Sequence, residues 1–260
     1  MTEAASRPRA LITGASGGIG EAFARHLGKG GHDLVLVARR RDRLERLAAE
    51  LSEAHGVDAE VVEADLADDS AVATVEERLR RGDIDLLVND AGFGTRGEFA
   101  GLPLARELEE LDVNVRALMR LTHAALGPMV GRGRGAVINV ASTGAFQPVP
   151  HMATYAATKA FVLHFSEALH EEVKGKGVTV TCLCPGAVKT EFQQVAGVDE
   201  SRLRAWKSVD AVVESALKAV AARRAITVPG ALNVSLVAAV KLMPRFVVRR
   251  IAGSMFKRGR

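Results

Sequence analysis

The chain has 260 residues, enough for one large domain or two small ones. Hydrophobic residues make up 48% and charged residues 25%, which excludes a disordered chain, and 25 glycines without a G-X-Y period exclude collagen. The net charge of +4 conceals an asymmetry: no Asp or Glu follows Glu214, so the tail carries +10 and the rest sums to −6.

Two cysteines, Cys182 and Cys184, exclude a disulfide framework and a four-cysteine zinc site, and they fit a reducing compartment. Residues 1–9 are polar and lack the apolar core of a signal peptide. The longest apolar stretch, 226–243, is interrupted by Pro229, Gly230, Asn233, Ser235 and Lys241, whereas a spanning helix wants about 20 apolar residues. A cytoplasmic protein is expected. The basic tail has neither zinc-finger spacing nor an RNP-like aromatic run, so nucleic acid is not expected as a partner.

Short apolar runs at 10–13, 34–37, 59–62, 84–88, 136–140, 178–183 and 226–228 predict strands. Most are continuous rather than alternating, as strands covered on both faces are. Between them, helices are predicted over 19–29, 41–54, 70–80, 104–129, 153–174 and 209–222. Strands and helices in alternation imply an α/β fold, a doubly wound parallel sheet of about seven strands. One domain is expected over 1–230, holding both a dinucleotide site and a catalytic site, followed by a basic amphipathic helical extension over 231–260.

The first strand runs into Thr13-Gly14-Ala15-Ser16-Gly17-Gly18-Ile19-Gly20, and a helix follows. Backbone N–H groups and the helix dipole there receive a pyrophosphate, and side chains would block its approach. Gly14 permits the turn, Gly18 a close backbone approach, and Gly20 close packing of helix on strand. There is no G-K-[ST], which excludes an ATP-binding P-loop. The second strand ends in Arg39-Arg40-Arg41 rather than in the carboxylate that an NAD site places there. An arginine fork suits a 2′-phosphate, so NADP is expected over NAD, with Arg39 the leading contact and Arg40 the second. Asp65, after the third strand, is either an acceptor for an adenine amino group or the cap of the helix that follows.

Tyr155, the chain's single tyrosine, and Lys159 at i+4 share one helix face. A nearby ammonium favours phenolate, so the pair can exchange a proton with an alcohol or carbonyl. Ser142, just past the fifth strand, is placed to orient the same oxygen, and Asn114 to anchor a water beside the lysine. No histidine pairs at i,i+4 around a carboxylate, and no metal site is expected. His151 stands out among the histidines for lying between Ser142 and Tyr155. Acidic pairs such as Glu109-Glu110 read as solvated helix faces.

These residues together resemble the short-chain dehydrogenase/reductase family. The resemblance covers about residues 8–190 and rests on the glycine loop, Asp65, Asn89-Asp90-Ala91-Gly92, Asn114, Ser142, Tyr155 with Lys159, and Pro185-Gly186 followed by Thr190. It implies a Rossmann domain, one nicotinamide dinucleotide and a catalytic set of Asn114, Ser142, Tyr155 and Lys159. It implies Lys159 on the nicotinamide ribose and Thr190 near the carboxamide. The cofactor-binding residues expected are Gly14, Ser16, Gly17, Gly18, Ile19, Gly20, Arg39, Arg40, Asp65, Leu66, Asn89, Ala91, Gly92, Tyr155, Lys159, Pro185, Gly186, Val188 and Thr190. It also implies a homodimer or homotetramer paired through 104–129 and 153–174. One position departs: Asp90 stands where the family has a second asparagine.

Hydride transfer between NADP and a secondary alcohol or ketone is the expected reaction. Phe93, Phe146, Pro148, Val149, Pro150, Met152, Phe192, Val195 and Trp206 either surround an apolar substrate or pack the fold. Alternatives are a dinucleotide-binding regulatory protein without turnover and a membrane-surface scaffold. In the tail, Val248, Ile251, Ala252 and Met255 share one helical face, with Arg249, Arg250 and Lys257 largely opposite. The tail is thus either a lid over the cleft or a partner subunit, or a peripheral membrane contact.

Overall fold

The computed structural model describes residues 7–192, 196 and 207–256. Strands β1 (Arg9–Thr13), β2 (Asp33–Ala38), β3 (Ala59–Glu63), β4 (Leu86–Asn89), β5 (Gly135–Val140), β6 (Val178–Leu183) and β7 (Ile226–Thr227) form one parallel sheet in the order β3-β2-β1-β4-β5-β6-β7. Side chains alternate across it with the period of two that a strand imposes. On one face Ile12, Leu34, Leu36 and Val88 pack with residues of α1 (Gly18–Lys29) and α2 (Arg41–His55). On the other, Leu11, Val35, Val37 and Leu87 pack with α3 (Asp69–Arg80) and α5 (Leu118–Arg132). Helices α4 (Leu104–Leu111), α6 (Ala153–Glu172), α7 (Val209–Ala221), α8 (Ala231–Leu242) and α9 (Arg245–Phe256) complete the element order. The chain reverses its direction of winding between β1 and β4, and the strands' carboxyl ends open a crevice there.

Three departures from the expected elements have physical causes. The helix predicted over 104–129 is interrupted by a π-helical turn, Asp112–Ala117, which separates α4 from α5. Asn114 lies in that turn, and its side chain makes two hydrogen bonds with the backbone of Phe93, which hold the turn against the end of β4. The fourth strand starts at Leu86 rather than 84: Asp85 N still donates to Arg9 O and Asp85 O accepts from Ala136 N, but Ile84 O is taken by the Arg132 side chain. The seventh strand is only Ile226–Thr227, and Val228 packs into a core cluster beside it.

Thr13 ties the two strands at the crevice together. Its hydroxyl accepts the N–H groups of Asp90 and Ala91, each at 3.1 Å, and donates to Val88 O. Replacing it by an isosteric methyl leaves buried N–H groups unpaired, which costs about 1–3 kcal/mol. Thr13→Val is therefore expected to lower the free energy of unfolding by that much, read as a lower denaturant midpoint at an unchanged slope. A midpoint equal to wild type would show that the hydroxyl contributes nothing to the fold.

Candidate active site

The crevice is a cleft of about 500 Å³. At one end, β1 passes into a turn where Gly14 has φ +72°, a left-handed conformation that glycine adopts without strain. A Cβ on Gly20 would stand 2.5 Å from Gly14 O, so α1 begins directly on the turn. No side chain caps this helix start. Gly14, Ser16, Gly17, Gly18 and Ile19 line the cleft with mostly bare backbone. Such a cradle at an uncapped helix start fits a dinucleotide pyrophosphate.

Arg39, Arg40, Asp65 and Leu66 form the adjoining rim. Asp65 Oδ1 accepts from Ala67 N at 3.1 Å, and its other oxygen lies 3.8 Å from Arg39 Nη1. The helix cap once open to Asp65 is taken by Asp68, which accepts from Ser70 N at 2.7 Å. Arg40 turns back onto the glycine loop, with Nε donating to Ser16 Oγ at 3.1 Å and Nη2 to Ser16 O at 3.2 Å.

At the other end, α6 carries Tyr155 and Lys159 against Ser142, which follows β5. Tyr155 and Ser142 both line the cleft, and Ser142 Oγ accepts from Gly144 N at 3.1 Å. Lys159 Nζ donates to Val140 O at 2.8 Å. Asn114 Nδ2 donates to Phe93 O at 2.8 Å and to Thr158 Oγ1 at 3.2 Å, while Oδ1 accepts from Phe93 N. Asn114 Oδ1 and Lys159 Nζ converge on Gly92, lying 2.8 and 3.4 Å from where its Cβ would be. A Cβ on Gly94 would meet the Tyr155 ring at 2.9 Å, and the Phe192 ring packs on the tyrosine with centroids 5.3 Å apart. Ala91, Gly92, Pro185, Gly186, Val188 and Thr190 complete the wall between the two ends.

Gly20 and Asn89 are the expected cofactor residues that do not line the cleft: Gly20 is buried at the helix start, and Asn89 lies elsewhere. Asn89 is buried behind the cleft, donating to Thr122 Oγ1 at 3.0 Å and to Asn139 Oδ1 at 2.9 Å. Of the expected apolar residues, Phe93, Val149, Met152 and Phe192 line the cleft. Phe146 packs in a core cluster with Lys241 5.1 Å above its ring. Val195 and Trp206 lie outside the described residues. His151 contributes its backbone, whose carbonyl accepts from Gly97 N.

Burial dominates the electrostatics. It pushes the Tyr155 hydroxyl up to about 12, with the Ser142 hydrogen bond working the other way and Glu110 and Asp90 adding to the rise. Desolvation is thus the largest influence on this hydroxyl. Burial also lowers Lys159, against the pull of Asp90. Glu110 was expected on a solvated face, but it is fully buried, and its Oε2 accepts from Thr95 N and Oγ1 at 2.9 and 2.8 Å. Glu107 is buried beside it and accepts from Thr154 Oγ1. Together they fix the loop after β4 and the start of α6. Burial holds Glu110 up at about 7.

Asp90 is likewise held up at about 7 by burial, opposed by Lys159 and by a hydrogen bond from the Gly20 backbone. The folded state thus keeps a proton that the unfolded chain gives up near pH 4. The stability from this proton is present below pH 4 and lost as pH rises to about 7. Asp90→Asn keeps an acceptor for Gly20 N–H without a charge to bury. Its thermal midpoint is expected to exceed wild type at pH 8, with the gap narrowing toward pH 5. Parallel curves for the two proteins over that range would contradict a raised Asp90. Glu110 is present in both, so it does not enter the difference.

A family model described as short chain dehydrogenase matches residues 8–201. The very-long-chain 3-oxoacyl-CoA reductase of Anas platyrhynchos is 32% identical over 72% of this chain, and the chain spans 62% of that relative's length. The serine 3-dehydrogenase of Agrobacterium fabrum is 37% identical over 78% of this chain and 81% of its own. The solved structure of a short-chain dehydrogenase from Sphingobium yanoikuyae in complex with NADPH is 36% identical, covers 97% of this chain and 98% of its own, and superposes with a TM-score of 0.85.

Proposed function

The chain belongs to the short-chain dehydrogenase family, and we propose that it is an NADP-dependent oxidoreductase acting on a secondary alcohol or its ketone, with Tyr155 as general acid/base. One observation carries the reading: Ser142, Tyr155 and Lys159 line the same cleft as the bare glycine cradle, with Lys159 Nζ 5.8 Å from the centre of the Tyr155 ring. The cradle from Gly14 to Gly20 would hold the pyrophosphate. Ser16, Arg39 and Arg40 would take the 2′-phosphate, Asp65 and Leu66 the adenine, and Ala91 and Gly92 the wall beside it. Lys159 would hold the nicotinamide ribose, with Pro185, Gly186, Val188 and Thr190 around the nicotinamide. NADPH, when bound, supplies the hydride.

The protein's own groups supply orientation and the proton. Ser142 and Tyr155 both address the substrate oxygen. A Tyr155 hydroxyl pushed up to about 12 is protonated at neutral pH, which suits donation to the oxygen of a ketone during reduction. Lys159, fixed on Val140 O, holds positive charge beneath that oxygen as it turns negative. The Phe93, Val149, Met152 and Phe192 side chains give the substrate end an apolar lining and support a lipophilic carbonyl compound or alcohol. Tyr155 and Lys159 are both present, which disfavours a regulatory protein without turnover. Exposed Leu104, Leu108, Leu111, Met119 and Phe161 on α4, α5 and α6 support a homo-oligomer paired through these helices.

Tyr155→Phe is expected to lower turnover of a ketone found by screening with NADPH by about 10²–10⁴-fold, while nucleotide affinity by calorimetry stays the same. A phenylalanine variant as fast as wild type would remove Tyr155 from the chemistry.

The tail supports a membrane contact as a second property. Among the described residues no helix is long and apolar enough to cross a membrane. On α9, Val248 and Ala252 are buried against the body, whereas Ile251 is exposed, and the side chain of Met255 lies outside the described residues, as do Lys257 and Arg258. The free apolar surface is mainly on α8, at Leu232, Leu236 and Leu242, and continues to Phe246. Exposed Lys241, Arg245, Arg249 and Arg250 accompany it. Such a surface suits the interface of an anionic bilayer. The same tail is also packed on the site, since Asn233 of α8 presses on Gly186. Wild type is expected to co-sediment with anionic vesicles at low salt, and a Leu232→Asp, Leu236→Asp double variant to remain in solution. Equal sedimentation of the two would exclude α8 from any membrane contact.

A further inference from the structure

One charged cluster on the cleft takes no part in the chemistry above. Arg40 Nη1 donates to Glu191 Oε2 and Arg43 Nη1 to Glu191 Oε1, both at 2.7 Å. The partners come from opposite walls: Arg40 and Arg43 from the start of α2, Glu191 from the loop after β6. They meet above the glycine loop. A Cβ on Gly17 would lie 3.2 Å from Arg40 Nη2 and 3.6 Å from Glu191 Oε2. Arg40 also donates twice to Ser16, through Nε and Nη2. Its guanidinium is therefore committed to a carboxylate and to the turn at which a 2′-phosphate would arrive. The two arginines hold Glu191 below the usual carboxylate range, so it is an anion at neutral pH.

We propose that Glu191 is an internal anion that competes with the cofactor's 2′-phosphate for Arg40 and Arg43, and so sets the selectivity between phosphorylated and unphosphorylated dinucleotides. This rests on the NADP reading above. All three side chains are roughly half exposed, and ion pairs in that setting are weak. A phosphate offers three acceptor oxygens and nearly twice the charge, so it can take both arginines from the carboxylate. Two anions on one guanidinium repel each other, so what the phosphate gains is reduced by displacing Glu191. A dinucleotide without the 2′-phosphate never contests the pair and is indifferent to it. Glu191 thus lowers affinity for one cofactor class alone.

The test is calorimetric titration of wild type and Glu191→Gln with adenosine 2′,5′-bisphosphate, adenosine 5′-monophosphate, NADPH and NADH, none of which requires turnover. Glu191→Gln is expected to bind the 2′,5′-bisphosphate and NADPH about three- to tenfold more tightly, with the other two changed less than about twofold. An equal change for all four nucleotides would overturn the proposal. Weaker binding of all four would also overturn it, and would make the ion pair a strap that retains any nucleotide. The cofactor reading is judged separately on the wild type. A wild type that binds NADPH and NADH alike, while Glu191→Gln gains for both the 2′,5′-bisphosphate and NADPH, removes NADP selectivity from the wild type and keeps the competition; no gain for NADPH would overturn it.

Discussion

The site depends on how the buried polar ends of β4 and β5 are satisfied. Asn89 and Asn139 sit side by side in register on these strands, both buried. Asn89 donates to Asn139 Oδ1, and Asn139 Nδ2 donates to Ser166 Oγ on α6. Ser166 in turn donates to Val162 O, and Thr122 on α5 receives the other bond from Asn89. Asn89 Oδ1 is the one atom of this network without a partner among the described residues; each of the other groups would carry a desolvation cost if unpaired, so the network favours one placement of α5 and α6 on the sheet. The position of Tyr155 and Lys159 over Ser142 follows from that placement. The same logic explains Asn89, which spends its donors holding the helices rather than reaching the cleft.

Charge inside the site is governed by exclusion of water. Three groups that ionise readily in solution, Asp90, Glu110 and Tyr155, are each held toward their neutral form. Lys159 is the cation among them and is weakened by the same burial. The resting site is therefore close to electrically neutral and sensitive to any charge that enters it. A developing negative oxygen on a substrate meets an ammonium and two hydroxyl donors in a medium that screens little.

The sequence carried those parts of the site whose chemistry is local. The glycine loop lies within eight residues, and Tyr155 with Lys159 within one helical turn, so spacing alone put them on the right element. Ser142 was legible because it follows a continuous apolar strand. Long-range contacts were not legible. Glu191 meets Arg40 across 151 residues of chain, and nothing near either residue announces the other. Glu110 looked solvated because it stands in an acidic pair with Glu109, while Thr95, which covers it, comes from another loop. The π-helical turn escaped periodicity because its cause is the Phe93 backbone, bonded to Asn114 from outside the helix.

That turn also sets the phase of everything before it. A π-helical turn adds one residue to a helix, so the segment preceding it is rotated by roughly 100° from a continuous α-helix. In α4 the rotation decides which residues look inward. Glu107 and Glu110 reach Thr154 and Thr95, while Leu104, Leu108 and Leu111 look outward. Loss of a single residue between 112 and 117 would turn the carboxylates away from the threonines and swing part of the leucine stripe toward the catalytic helix. The surface offered to a second subunit and the support beneath Tyr155 are thus set by one shared residue count, and neither can be re-indexed without the other.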